Sequence, residues 1–358
     1  MGQVTVLLNP STFRAIVSGR RRDLRACIAR AFLNLLSFPY RGIVFLRNRL
    51  FDRGWRAIHH VDVPVISIGN VTLGGTGKTP TVAWLVQWLS ARGIKAAIVS
   101  RGYKGDPGKQ NDEALELAEK LPGVPHIQNP DRLKAAQTAI AEHRAEAIVL
   151  DDGFQHRRLG RNFDLVLIDA TEPFGFEKLF PRGTLREPLT NLQRADAVAL
   201  TRIDSIATED RKALWQRIES LAPGACQIEI AYSPVHLMDH NGNTTPLSVL
   251  DDARVAAFCG LGNPQNFSRM LSQKNWNLLS LREYPDHHHY TAHDARWLKE
   301  HCETMEAAAV LCTHKDLVKI GPLWKSTLPL YGVIIETEIT LGSERLEALL
   351  QQCLQQRI

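Results

Sequence analysis

From residue 63 onward, short apolar runs rich in β-branched residues alternate with stretches of helical periodicity. VPVISIG, AAIVS (96–100), AIVLDD (147–152), DLVLIDA (164–170) and AVALT (197–201) lack the polar alternation of a half-exposed strand, so they read as strands buried on both faces of a parallel sheet. Between them, 78–91 and 131–143 read as helices. This order predicts a doubly wound α/β fold that binds ligands at the carboxyl ends of its strands. At Gln227 the pattern changes: QIEIAYSPVHLMDHNGNTTPL reads as two alternating strands about Asn241-Gly242, a hairpin turn signal. A second α/β series follows through RVAAFCGLGNPQNFSRML, AAAVLCTHKD and LYGVIIETEI, and closes with a helix from about Ser343. The expected organisation is a basic helical segment over 1–60, a nucleotide-binding α/β domain over 61–226, a two-stranded linker over 227–245 and a smaller α/β domain over 246–358. The last helix is a candidate to return to the first domain.

The N-terminal segment has a different texture. In LRACIARAFLNLLSF, the residues Leu24, Cys27, Ile28, Ala31, Phe32, Leu35 and Leu36 recur at helical spacing and form one apolar stripe, which Pro39 is expected to end. GIVFLRNRLFDRGW then mixes Ile43, Leu46, Leu50 and Trp55 with arginines. No uncharged apolar run here exceeds ten residues, short of the ~20 that cross a bilayer, and no small-residue cleavage site follows. A spanning helix and a signal peptide are therefore not expected.

Charge sharpens this picture. The formal net charge is +5, but residues 1–60 hold eleven arginines against two acids, while the remainder carries 32 bases against 36 acids. An arginine-rich amphipathic helix suits the surface of an anionic membrane; the alternative is a helix packed on its own domain with solvated arginines. Nucleic acid is not expected, because the basic surplus stops at the segment's end. The six cysteines include no C-x-x-C pair, which suggests neither a zinc site nor a disulfide framework and fits a reducing compartment. The length of 358 residues, 44% of them hydrophobic, suffices for two domains with real cores.

The chemistry concentrates after the first strand. Gly74, Gly75, Thr76, Gly77, Lys78 and Thr79 form a G-G-T-G-K-T string where a strand meets a helix. Backbone N–H groups of such a loop cradle phosphates, the lysine pairs with the β- and γ-phosphates, and the Thr79 hydroxyl ligates Mg²⁺. The usual spacing places another glycine at position 72, where this chain has Thr72. An acid at a neighbouring strand end must help hold the metal, and the candidates are the pair Asp151-Asp152, favoured here, and Asp169. Thr201-Arg202-Ile203-Asp204 is too corrupt a version of N-K-x-D to imply guanine reading. Asp286-His287-His288-His289-Tyr290 is dense in titratable groups, but successive histidines on a strand do not converge on one metal; a solvated loop or a proton-transfer role are the open readings.

FPYRGIVFLRNRLFDRG, VPVISIGNVTLGGTGKTP, VSRGYKG, NDEALELA, LDDGFQHRRLGRNFDLVLID, PRGTLREPL, FCGLGNPQNF, YPDHHHYT and THKDLVK occur in this order over nearly the whole chain. Together they resemble the tetraacyldisaccharide 4'-kinase family, the lipid A 4'-kinases of Gram-negative bacteria. The resemblance implies a peripheral, monomeric enzyme at the cytoplasmic face of the inner membrane. Its expected reaction moves the ATP γ-phosphate, with Mg²⁺, to the 4'-hydroxyl of an acylated glucosamine disaccharide 1-phosphate, giving lipid IVA. It also makes the membrane-docking reading of residues 1–60 the stronger one. By the same resemblance Asp112 accepts the hydroxyl proton and His287 orients it. Lys78, Thr79, Asp151, Asp152 and Glu187 manage ATP and Mg²⁺; Arg132, Arg186 and His156 stabilise phosphate or acceptor charge, and Tyr103 lies at the mouth. Asn111 departs from the glycine common before the aspartate, and the first twenty residues resemble nothing in the family. The rival expectation is a GTPase or ATPase switch of the G-G-x-G-K-T class.

Overall fold

The computed structural model describes residues 10–102, 112–286 and 288–355. The chain divides into two compact units, Met1–Asn111 with Leu117–Ala231 and Thr337–Ile358, and Asp112–Glu116 with Tyr232–Glu336. In chain order the first part contributes helices α1 (Pro10–Val17) and α2 (Leu24–Asp52), strand β1 (Val65–Asn70), helix α3 (Lys78–Ser90), strand β2 (Ala96–Ser100), helix α4 (Asp112–Lys120), strand β3 (His126–Gln128), helix α5 (Arg132–His143), strands β4 (Ala147–Asp151), β5 (Phe163–Asp169) and β6 (Ala197–Thr201), and helix α6 (Thr208–Leu221). The rest contributes β7 (Cys226–Asp239), β8 (Thr244–Pro246), β9 (Arg254–Cys259), α7 (Pro264–Ser272), β10 (Asn277–Glu283), α8 (Ala292–Thr304), β11 (Ala309–Thr313), α9 (His314–Ile320), β12 (Leu330–Leu341) and α10 (Ser343–Gln355).

In the first unit the strands run in the order β7-β6-β5-β1-β4-β2-β3, every neighbouring pair parallel. All residues of β1, β2, β4, β5 and β6 are buried, which is why these runs lack polar alternation. Helix α5 covers one region through Leu133, Ala135, Ala136 and Ala139 against Ala97, Val99 and Ile148. Ile218 of α6 joins Val166, Ile168, Val198 and Leu200 elsewhere in the unit. The chain leaves β1 toward β2 and β3, returns to place β4 beside β1, then continues on β1's other side with β5. The order thus reverses at β1, the switch point where a doubly wound sheet opens a crevice at its carboxyl edge. In the second unit β10, β9, β11 and β12 are parallel neighbours, and β7 and β8 form the antiparallel hairpin, with Leu237 opposite Thr245 and Gly242 at φ +85° in the turn.

Pro39 does not end a helix: α2 runs through it to Asp52. A proline in a helix interior removes one N–H and crowds the carbonyl four residues back, here that of the solvent-exposed Leu35, where water can take the hydrogen bond. Packing beyond the proline offsets that cost. Val44, Asn48 and Phe51 are buried, and the Tyr40 hydroxyl donates to the Arg186 carbonyl at 2.8 Å. At the other end Asp23 caps the helix by accepting from the Ala26 N–H at 3.0 Å. Leu24, Ile28, Phe32, Leu35, Phe38, Ile43, Phe45 and Leu46 are each more than half exposed. Among the described residues no helix is long and apolar enough to cross a membrane.

Candidate active site

The glycine loop leaves β1 with two residues in left-handed backbone, Gly74 at φ +121° and Gly77 at φ +87°. Gly77 is the N-cap of α3, so the helix's first N–H groups open into the loop where an anion would sit. The segment 184–186 walls the loop: the Leu73 N–H donates to the Thr184 carbonyl at 2.7 Å and the Arg186 N–H to the Val71 carbonyl at 2.8 Å. Thr72 is bridged antiparallel to Leu185. This extended pairing explains why a threonine stands where the commoner spacing has glycine, since paired extended backbone makes no demand for positive φ. From β6, the Thr201 hydroxyl donates to the Thr76 carbonyl at 3.1 Å.

Beside the loop, the chain turns sharply out of β4. Asp152 adopts φ +57°, a left-handed conformation that aspartate tolerates better than most residues. The turn is pressed onto β1: a Cβ on Gly69 would stand 2.6 Å from the Phe154 Cβ, and one on Gly153 2.6 Å from the Ser67 hydroxyl. The resulting aim brings the Asp152 carboxylate within 2.7 and 2.8 Å of Arg186 Nη1 and 3.6 Å of the Lys78 ammonium. Burial pushes the Asp152 carboxyl up, but Lys78, Arg186 and Arg132 more than offset it and hold the group at about 2. Asp152 is therefore an anion that holds the Lys78 and Arg186 cations in place.

Arg132, buried at the first position of α5, uses Nη1 on the Pro130 carbonyl at 3.3 Å. Its Nε, the Arg186 Nε, the Thr76 hydroxyl and the His156 Nε2 are buried without hydrogen-bond partners among the described residues. Such orphans suit a site built for an anionic ligand. Burial, then the charges of Arg132 and Arg161, bring the His156 imidazole down to about 4. It is neutral at pH 7, so it can offer a hydrogen bond to a ligand but not a positive charge. For a magnesium ion the donors are hard oxygens: Thr79 in the first turn of α3 and the carboxylates of Asp151 and Asp152. Among the described residues no group of three or more His, Cys, Asp or Glu side chains is arranged to hold a metal. Hard oxygens of these types suit magnesium, which keeps waters and combines one or two carboxylates with substrate phosphates.

Glu187 has a separate set of partners. It is fully buried, and its carboxylate accepts from Gln155 at 2.8 Å, Asn191 at 2.6 Å and Arg194 at 2.7 Å, with Asn48 of α2 at 3.5 Å. Gln155 links it onward, since Arg186 Nη1 donates to the Gln155 Oε1 at 3.4 Å. Gln155, Asn48, Asn191 and Arg194 are absent from the residues singled out in the sequence. Gln155 lies in DDGFQHRR and Asn48 in FPYRGIVFLRNRLFDRG, both motifs that carry the resemblance, whereas Asn191 and Arg194 lie in none. Asp169, the alternative metal acid, is committed to a turn, accepting from the Thr171 N–H at 2.9 Å and hydroxyl at 2.6 Å and pairing with Arg202.

In the second unit three motif segments converge on one carboxylate. Buried Asp316 of THKD accepts from the Gly260 N–H of GLGNP at 3.0 Å, the Tyr290 hydroxyl at 3.0 Å and the Thr313 hydroxyl at 2.6 Å. His288 stacks on Tyr284 at 4.6 Å and lies 3.4 Å from Asp294, so it belongs to an aromatic cluster and not to a solvated loop. Lys315 pairs with Asp286 at 3.4 Å. Tyr103, Asn111 and His287 lie outside the described residues, as does the side chain of Asp112, whose backbone begins α4.

The comparisons with known proteins agree with one another. Residues 29–355 match the family model described as tetraacyldisaccharide-1-P 4'-kinase. A tetraacyldisaccharide 4'-kinase of Anaeromyxobacter sp. (strain K) is 36% identical over 346 residues, covering 91% of each chain. One of Geobacter sulfurreducens is 32% identical, covering 96% of this chain and 98% of that one. Among solved structures, LpxK from Aquifex aeolicus in complex with ATP aligns with a TM-score of 0.72 at 27% identity, covering 91% of this chain and 99% of that one.

Proposed function

We propose, from the premise that the chain belongs to the tetraacyldisaccharide-1-P 4'-kinase family of enzymes, that it transfers the γ-phosphate of ATP to the 4'-hydroxyl of an acylated glucosamine disaccharide 1-phosphate, giving lipid IVA. The observation that carries the proposal within this chain is the cage at the carboxyl edge of β1 and β4. There a glycine loop, a helix N-terminus, Lys78 and Arg186 face the same space, with Asp152 holding both cations.

In this reading the loop N–H groups and Lys78 hold the β- and γ-phosphates, while Arg132 and Arg186 neutralise charge that builds on the transferring group. Thr79, Asp151 and Asp152 would hold Mg²⁺. The ion, when bound, neutralises phosphate charge and fixes the phosphate oxygens. His156, neutral, hydrogen-bonds an acceptor or phosphate oxygen. Glu187 is reassigned from metal ligand to positioning residue: its carboxylate fixes Gln155, which backs Arg186. Asp112 takes the proton of the 4'-hydroxyl as its oxygen forms the new bond to phosphorus and ADP leaves; His287 orients Asp112, and Tyr103 borders the mouth. A loose phosphoryl transition state demands little early proton removal, so positioning and charge neutralisation outweigh base strength.

The acceptor's acyl chains keep it in a bilayer, so the enzyme meets it at a surface. The exposed apolar face of α2, set among arginines, supports peripheral docking to the anionic cytoplasmic face of the inner membrane. The decisive assay supplies γ-labelled ATP and acylated disaccharide 1-phosphate in detergent micelles to the purified chain. Labelled lipid is expected, with Asp112→Asn lowering kcat by about 100-fold and KM far less. Absence of labelled lipid rejects the kinase, and acceptor-independent GTP hydrolysis would favour the switch reading instead.

A further inference from the structure

Helix α1 lies before residue 29, where the family match begins, yet it is firmly seated. Ile16 and Val17 are buried, Arg182 Nη1 donates to the Val17 carbonyl at 3.0 Å, and Arg30 Nη1 to the Ile16 carbonyl at 3.2 Å. This seating directs Arg14 at the glycine loop. Its Nη2 lies 2.8 Å from the point where a Cβ on Gly74 would stand, so only a glycine lets the guanidinium come so near the loop backbone. The same Nη2 is 3.7 Å from Glu172 Oε1, in the turn after β5 where the Glu172 N–H donates to the Asp169 carbonyl at 3.1 Å. Arg14 thus sits on the rim of the phosphate loop, ion-paired to a carboxylate that burial pushes toward protonation, an effect Arg14 opposes.

We propose that Arg14 is a further nucleotide ligand, supplied by a segment outside the family match, which exchanges Glu172 for the β–γ end of the bound polyphosphate. The proposal rests on the nucleotide reading of the loop. A guanidinium forks across two phosphate oxygens more effectively than it pairs at 3.7 Å with one carboxylate oxygen. Glu172 then acts as a placeholder that keeps the arginine at the rim before nucleotide arrives.

The test measures dissociation constants of ATP and AMP by calorimetry for the full chain and its variants. Arg14→Ala is expected to weaken ATP by about tenfold, the scale of one charged hydrogen bond, and to leave AMP unchanged, with Arg14→Lys recovering part of the loss. Glu172→Gln removes the competitor and is expected to tighten ATP severalfold. Unchanged ATP affinity in Arg14→Ala, or equal losses for ATP and AMP, overturns the proposal. If Arg14→Ala fails to fold, Glu172→Gln decides alone, and no tightening overturns it. Lys78→Ala separates the premises: if ATP binding survives that change, the loop reading itself fails, whatever Arg14 does.

Discussion

Gly69 constrains the site without touching a ligand. Its backbone is not left-handed; what it lacks is room, because a Cβ would meet the Phe154 Cβ at 2.6 Å and the Phe154 N at 2.8 Å. That contact presses the turn holding Asp152 onto β1. Gly69→Ala is therefore expected to destabilise the chain by about 1–3 kcal/mol through overpacking and to weaken ATP binding in step, because Asp152 moves with Phe154. Gly75→Ala, whose Cβ would meet nothing within 4 Å, is the stability control. Equal urea midpoints for the two variants would refute this account. Single residues were legible in the sequence when their chemistry was local: Lys78 and Thr79 follow the glycines, and Asp151-Asp152 ends an apolar run. Partnerships were not. That Arg186 meets Asp152 across 34 positions, or that Gln155, Asn191 and Arg194 enclose Glu187, depends on pairing between the 184–186 segment and the loop, which no periodicity encodes.

Among elements, the buried parallel strands were the most legible, because burial on both faces writes itself as an uninterrupted apolar run. The short β3 and helix α6, with only Ile218 fully buried, left no such trace. Helix α2 runs past Pro39 because tertiary packing outweighs a local breaker, through Val44, Asn48, Phe51 and the Tyr40 hydroxyl. The two faces of α2 also reconcile the packed and docked readings of the basic segment. One face is buried on its own unit, and the other exposes Ile28, Phe32 and Leu35. Burying an apolar side chain contributes about 1.5–3 kcal/mol, so Phe32→Glu with Leu35→Glu is expected to lower partitioning onto anionic vesicles by at least about tenfold. The urea midpoint should hold within about 0.5 kcal/mol, as for other surface positions. Sedimentation with vesicles reads the first quantity, and unchanged partitioning of the double variant would remove α2 as the dock.

At the scale of the whole molecule, two half-buried imidazoles are expected to shape how stability responds to acid. His126, 2.8 Å from the Ser100 hydroxyl, is brought down to about 4 by burial, and His156 to about 4 by burial and then by Arg132 and Arg161. Both are normal in the unfolded chain, near 6.5, so between 6.5 and about 4 the unfolded state binds protons that the folded state refuses. The native state's advantage from these groups is complete above pH 6.5 and is lost as pH falls toward 4. Asp152 acts in a separate, lower window: its depressed value of about 2 means that its contribution is lost only below the ordinary carboxylate range. By pH 5 each fully refused imidazole costs about 2 kcal/mol, and partial solvent access reduces that figure. Urea midpoints at pH 7.5 and 5.0 should therefore separate by an amount that shrinks by about half or more in the double variant His126→Gln, His156→Gln, whose neutral amides do not titrate. An equal separation in the wild-type and variant chains would locate the acid sensitivity in the carboxylates and not in these histidines.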